Sequence, residues 1–252
     1  MKKSTPLVMI HGLMGPLSFF SPHERISSVV VHTPDLIGYG ELKSLPQTEI
    51  TLANQAAHVV RYVREKVKEP CVLLGHSVGG AIAMLAAQAA PECVRGIINV
   101  EGNFTLNDAF WCQKIAGLSE DVWLAEHQKL VADLKAWLMN AGIEPTEERV
   151  KWACCILSNQ PAETLHAMAL AVVAETGDVD YIPKIRLAIE GGIPLFLLTG
   201  ERSAPEWDLP DWARAAARDY VVQKDVGHMM MIEHPDDFCR IVADIVARID
   251  LM

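Results

Sequence analysis

The sequence predicts an α/β fold: a mostly parallel sheet with helices on both faces, interrupted by an inserted helical cap. Three observations predict it. Short β-branched segments alternate with stretches of helical periodicity up to about Asn103, the strand signal then vanishes from Thr105 to about Asp180, and the alternation resumes at Gly192. The division is a core of residues 1–104 and 181–252 and a cap of residues 105–180.

The elements follow in order. Thr5 to His11 (TPLVMIH) and Ser28 to Thr33 (SVVVHT) are short, apolar and bounded by Gly or Pro, as buried parallel strands are. Between Thr51 and Glu69 the residues Leu52, Ala56, Val59, Val60, Val63 and Val67 recur at helical spacing. Pro70 to His76 reads as a strand, Val78 to Ala90 as a helix and Val94 to Glu101 as a strand, which is βαβ alternation. Four helices are expected in the cap, over 107–118, 120–141, 145–158 and 161–176. Thr105 and Asp108 have capping-box spacing before the first, and Pro145 and Pro161 open the last two. A strand from Ile193 to Thr199, a helix near Asp211 to Arg218, a strand near Tyr220 to Gln223 and a helix from Pro235 to Ile249 complete the core.

Composition narrows the function. The net charge is -10 and no Lys/Arg block occurs, so a phosphate backbone would be repelled and nucleic acid is excluded as a partner. The start, MKKSTPLVMIHG, lacks a signal-peptide pattern, and no apolar run reaches the roughly 18 residues of a membrane span. A soluble cytoplasmic protein is expected, with no membrane partner. Six cysteines lie mostly in apolar contexts, and the adjacent pair Cys154 and Cys155 has neither CxxC nor zinc spacing. Reduced thiols, no metal and no cofactor are expected.

The sharpest motif is Gly75-His76-Ser77-Val78-Gly79, directly after one predicted strand and directly before a predicted helix. A serine hydroxyl is a weak nucleophile. The tight turn lifts its oxygen clear of the sheet and places the next N–H at the positive end of a helix. Among nine histidines, His228 combines a preceding glycine, a loop after a strand and a place late in the chain order Ser, acid, His. It is the candidate general base.

Over nearly its whole length the chain resembles the α/β-hydrolases. Besides the elbow, His11-Gly12-Leu13-Met14-Gly15 resembles their HGxxG, Pro34-Asp35-Leu36-Ile37-Gly38-Tyr39-Gly40 their P-D-x-x-G-x-G, and Gly227-His228 with Glu233-His234-Pro235 their histidine loop. The resemblance implies an oxyanion hole from the amides of Leu13 and Val78. Extra antiparallel strands that open the sheet in many relatives are not expected here.

The acid departs from the common pattern. Most relatives carry Asp three residues after the glycine ending the penultimate strand, and Ser203 stands there. A serine cannot supply the charge that stabilises an imidazolium. A minority, including haloalkane dehalogenases, carry the acid one strand earlier, which points to Glu101, with Glu206 and Asp208 as the next candidates. Dehalogenation is disfavoured because its nucleophile is a carboxylate, whereas Ser77 suits acyl transfer.

Cap and loop side chains Phe104, Trp111, Trp123 and Met229 suggest an apolar pocket for a small to medium acyl substrate. The expected activity is hydrolysis of a carboxylic ester or thioester through an acyl-enzyme on Ser77. A C–C or lactone hydrolase or lyase using the same residues, and a non-catalytic ligand-binding protein on this fold, stay open as alternatives.

Overall fold

The computed structural model describes residues 4–252, so the Met1-Lys2-Lys3 start lies outside the described residues. Six strands, β1 (Leu7–Ile10), β2 (Val31–His32), β3 (Cys71–His76), β4 (Val94–Val100), β5 (Leu195–Gly200) and β6 (Asp219–Gln223), form one sheet in the order β2-β1-β3-β4-β5-β6. Every pairing is parallel. Parallel neighbours require crossovers, and these are helical. In chain order the helices are α1 (Pro22–Arg25), α2 (Leu52–Tyr62), α3 (Val78–Ala89), α4 (Phe110–Ala116), α5 (Glu120–Ala132), α6 (Leu134–Asn140), α7 (Glu147–Ser158), α8 (Ala162–Thr176), α9 (Tyr181–Glu190), α10 (Asp211–Ala216), α11 (Met230–Glu233) and α12 (Pro235–Ile249).

Period-two alternation sorts the strand side chains onto two faces. Val8, Ile10, Leu73, Ile97, Leu195 and Leu197 join one buried cluster with Val59 of α2, Ile82 of α3 and Ile185 of α9. Leu7, Met9, Val72, Leu74, Ile98, Val100, Phe196 and Leu198 join the other, with Phe238, Val242, Ile245 and Ile249 of α12. Both faces are covered, so the central strands β1, β3, β4 and β5 read as largely apolar runs.

Four details differ from the sequence expectation. The strand expected over Ser28 to Thr33 is only Val31–His32, an edge strand with a single neighbour, preceded by exposed Ser27, Ser28 and Val30. The helix expected over 120–141 is two helices. Asp133 leaves the helical region at φ -134°, and its carboxylate caps α6 by accepting from Ala136 N at 2.9 Å. The cap therefore holds α4 to α8, five helices rather than four. Helix α9 was not expected between cap and β5, although Tyr181, Ile185 and Ala188 face the core at helical spacing and Pro183 falls in the first turn, where a missing N–H is tolerated.

The strand order reverses at β1, which lies between β2 and β3. In open parallel sheets that switch point opens a crevice at the carboxyl ends of the strands. The Leu13 loop follows β1, Ser77 follows β3, Glu101 follows β4 and His228 follows β6, so all four emerge at that edge. The cap leaves the chain at the same end, after β4.

Candidate active site

Ser77 sits between β3 and α3 at φ 55°, ψ -124°, a conformation that side chains rarely adopt. The turn is held from both sides: Ser77 N donates to Val100 O at 3.0 Å, and Ser77 O accepts from Gly80 N at 2.8 Å and Asn103 N at 3.3 Å. Such strain costs about 1–3 kcal/mol and persists only where the surroundings over-determine it. Gly75 and Gly79 make the approach possible. A Cβ at Gly75 would lie 2.1 Å from Gly79 O, and one at Gly79 would lie 2.3 Å from Ile10 O. Gly75→Ala is expected to lose about 3 kcal/mol of unfolding free energy or more, the upper end of overpacking costs, because the obstacle is backbone. Urea unfolding monitored by circular dichroism measures it.

The Val78 N–H opens α3 and has no partner within its own helix. Leu13 lies in the loop after β1, where Gly12 runs so close to the elbow that a Cβ there would stand 3.0 Å from Ser77 Cβ. The residue before the Leu13 amide thus lies against the serine that precedes the Val78 amide.

Glu101 ends β4 at φ 43°, another left-handed non-glycine position. Its carboxylate is buried and spends both oxygens. Oε2 accepts from His228 Nδ1 at 2.6 Å, while Oε1 accepts from Thr199 Oγ1 at 2.6 Å, Gly200 N at 2.7 Å and Ser203 Oγ at 2.6 Å. Burial alone would raise the carboxyl's pKa, but these hydrogen bonds and the neighbouring imidazole outweigh it and hold Glu101 below the usual carboxylate range. Ser203, in the place of the usual acid, donates to the Glu101 carboxylate. The late carboxylates point elsewhere: Glu206 is exposed, and Asp208 accepts from Thr105 Oγ1 at 2.6 Å and Asn107 Nδ2 at 3.0 Å. Asp108 N donates to Thr105 Oγ1 at 3.4 Å, as the capping-box spacing leads one to expect, and the Asp108 carboxylate also accepts from Phe104 N at 3.1 Å and Asp208 N at 2.6 Å, so the two aspartates clasp the cap's first turn to the loop after β5.

With Nδ1–H given to Glu101, the lone pair of His228 is on Nε2. The ring is about half exposed, with a side-chain accessibility of 44% against 4% for Glu101. Its place beside the elbow is set by His76, whose Nε2 donates to His228 O at 3.0 Å and whose ring centroid lies 4.6 Å away. Burial, and then the proximity of His228, lower His76 to about 3, so it stays neutral. His11 is also neutral, lowered by burial to about 4, with Nδ1 donating to Gly12 O at 2.9 Å and Nε2 accepting from Leu36 N at 3.3 Å.

A brace that the sequence did not reveal surrounds the histidine loop. Glu233 accepts from Gly227 N at 2.7 Å and from Arg202 Nη2 at 2.6 Å, and Arg202 Nη1 donates to Asp225 O at 2.6 Å. Glu233 was legible only as part of the motif that follows His228. Among the described residues no group of three or more His, Cys, Asp or Glu is placed to hold a metal ion.

The pocket expectation needs correction for three of its four residues. Phe104 is sealed against Trp207 and Trp212, and Trp123 is 2% exposed with its indole N–H donating to Ala162 O at 2.7 Å. Both are core residues, because the first turn of the cap and α5 bury them against the loop after β5 and α8. Trp111 faces outward, with Lys114 Nζ over its ring at 5.3 Å. Met229 is half-buried and packs on Leu138, Ile143, Ala153, Ile156 and Ile232, as does Met14, which the sequence did not single out.

The sequence matches the alpha/beta hydrolase family over residues 7–241. The chain belongs to this family. A pimeloyl-[acyl-carrier protein] methyl ester esterase of Aeromonas hydrophila is 25% identical, with 95% of this chain and 94% of the esterase aligned. An sn-1-specific diacylglycerol lipase of Danio rerio is 34% identical over 113 residues, a stretch covering 42% of this chain and 34% of the lipase. A thermophilic esterase of Thermogutta terrifontis superposes with a TM-score of 0.71 at 18% identity, covering 98% of this chain and 91% of that one, a likeness of fold. Among the described residues no helix of this hydrolase is long and apolar enough to cross a membrane.

Proposed function

We propose that this chain is a serine hydrolase that cleaves a carboxylic ester or thioester of a small to medium apolar acyl substrate through an acyl-enzyme on Ser77. The observation that carries the reading is the 2.6 Å contact of Glu101 Oε2 with His228 Nδ1 beside the strained elbow. With Nδ1 donating to the carboxylate, Nε2 keeps the lone pair that a general base needs.

In this reading His228 Nε2 takes the Ser77 proton as Oγ attacks the carbonyl, and the Leu13 and Val78 amides receive the tetrahedral oxyanion. Glu101 stabilises the imidazolium, which then returns its proton to the leaving alcohol or thiol. Water activated by the same nitrogen cleaves the acyl-enzyme. Met14 follows the oxyanion residue and Met229 follows the base, and both rest on the cluster formed by α6, α7, Ile143 between them and Ile232 of α11. Their adaptable, half-buried side chains suit a flexible apolar acyl group. The aligned ester hydrolases are consistent with this choice of bond.

The test pairs activity with labelling. Turnover of p-nitrophenyl esters or acyl thioesters, together with a fluorophosphonate adduct that mass spectrometry maps to Ser77, is the expected result. Folded protein that gives neither turnover nor adduct would sink the reading.

A further inference from the structure

The loop that carries the Leu13 amide is hooked at every second residue. The His11 ring accepts from Leu36 N at 3.3 Å, the Leu13 carbonyl accepts from Tyr39 Oη at 2.8 Å, and Gly15 N donates to Gln160 Oε1 at 3.2 Å. The first two partners belong to the PDLIGYG segment of the core. The third belongs to the cap, in the turn between α7 and α8.

That turn is seated with care. Gln160 is 3% exposed and uses both ends of its amide, with Nε2 donating to Ile156 O at 3.0 Å in the last turn of α7. Its neighbour Asn159 accepts from Gly40 N at 2.7 Å and donates to Asp35 Oδ1 at 3.3 Å. One cap turn therefore grips both loops that follow the first two strands. A buried amide is retained at low cost only when its groups are paired, and removing one partner leaves the other unsatisfied.

Resting on the ester hydrolysis proposed above, we propose that Gln160 and Tyr39 are positioning residues for the oxyanion-binding loop. Tyr39 holds the Leu13 carbonyl, on the same residue as the donor N–H, from the core, and Gln160 fixes Gly15 from the cap. Stabilisation of a developing oxyanion depends on donors that need no reorganisation when the charge appears. A loop pinned on both sides of Leu13 meets that requirement. It also makes oxyanion binding depend on the seating of the cap, so these two residues act on the transition state more than on substrate affinity.

The experiment compares wild type with Tyr39→Phe, which removes only the hydroxyl, and Gln160→Met, which keeps volume and removes the acceptor. Three quantities are read for each: kcat and KM on one ester, affinity for a trifluoromethyl ketone of the same acyl chain, and affinity for the corresponding alcohol, which forms no oxyanion. The expected result is a fall of about tenfold in kcat and in ketone affinity, with KM and alcohol affinity within about twofold, as a small displacement of an oxyanion donor implies. Tyr39→Phe alone carries the test should Gln160→Met not fold. Unchanged ketone affinity and kcat in the folded variants overturn the proposal, and so does an equal loss on ketone and alcohol, which marks general damage to the pocket. A wild type without turnover or fluorophosphonate adduct overturns the ester reading and this inference with it.

Discussion

Replacing Glu101 by Gln is expected to lower kcat by about 10³- to 10⁴-fold while the protein stays folded, since loss of the acid in Ser-His-acid hydrolases acts through the histidine tautomer. Three donors, Thr199 Oγ1, Gly200 N and Ser203 Oγ, converge on Oε1. A glutamine must present its oxygen to them and so turns its NH₂ toward His228 Nδ1. That nitrogen then has to accept, its proton moves to Nε2, and the base is lost. Ser203→Ala removes one donor of three and is expected to cost less than about tenfold, because Thr199 and Gly200 still hold the carboxylate. Steady-state kinetics on one ester measures both. Near wild-type turnover of Glu101→Gln, alongside an inactive Glu206→Gln or Asp208→Asn, would return the acid to the late loop. The same substitution has a signature in stability. Because Glu101 is held below the usual carboxylate range in the folded state, its charge contributes stability above its unfolded pKa, about 4.3. That contribution is lost as pH falls through the lower folded value. The unfolding free energy of wild type relative to Glu101→Gln should shrink below about pH 4.

Ser77→Ala is expected to remove about 10⁶-fold of kcat and to abolish the fluorophosphonate adduct, because the residues of such a site act as a unit. Its effect on stability should be small, since Ala keeps the Cβ and meets the same backbone strain at φ 55°. Ser77→Gly separates the two effects. It is equally inactive, yet it relieves a conformation that glycine adopts freely and is expected to gain about 1 kcal/mol in denaturant unfolding. A Ser77→Gly variant less stable than Ser77→Ala would show that the elbow is not strained in solution. On the role proposed for Ser77, the exchange is one of stability for function, since a nucleophile must stand clear of its sheet.

The largest stretch of the fold was legible because its signals are local. Buried parallel strands need apolar runs and crossovers need helical periodicity, so β1, β3, β4, β5, α3 and α12 stand close to where the spacing put them. Glycines that permit close backbone approach mark the elbow, and chain order marks His228. Ser203 in the usual acid position redirected attention to Glu101, although nothing local could say which oxygen it would offer to which donor.

Where the sequence fell short, the deciding forces were non-local. The break at Asp133 and the helix at Tyr181–Glu190 did carry local signals, a cap onto Ala136 N and apolar residues at helical spacing, but such signals are weak until α6 packs on α7 and α9 on α3. Aromatic residues counted toward a pocket turned out to be packing, because burial of Phe104 and Trp123 is decided by Trp207, Trp212 and α8, far along the chain. By itself the sequence determined the parallel sheet, the position of Ser77 and the order of the groups around it, through periodicity and turn chemistry. The tertiary structure alone decided the four-donor cradle of Glu101, the neutral state of His76 and the cap's hold on Gly15, since hydrogen bonds and burial between residues distant in sequence leave no periodic trace.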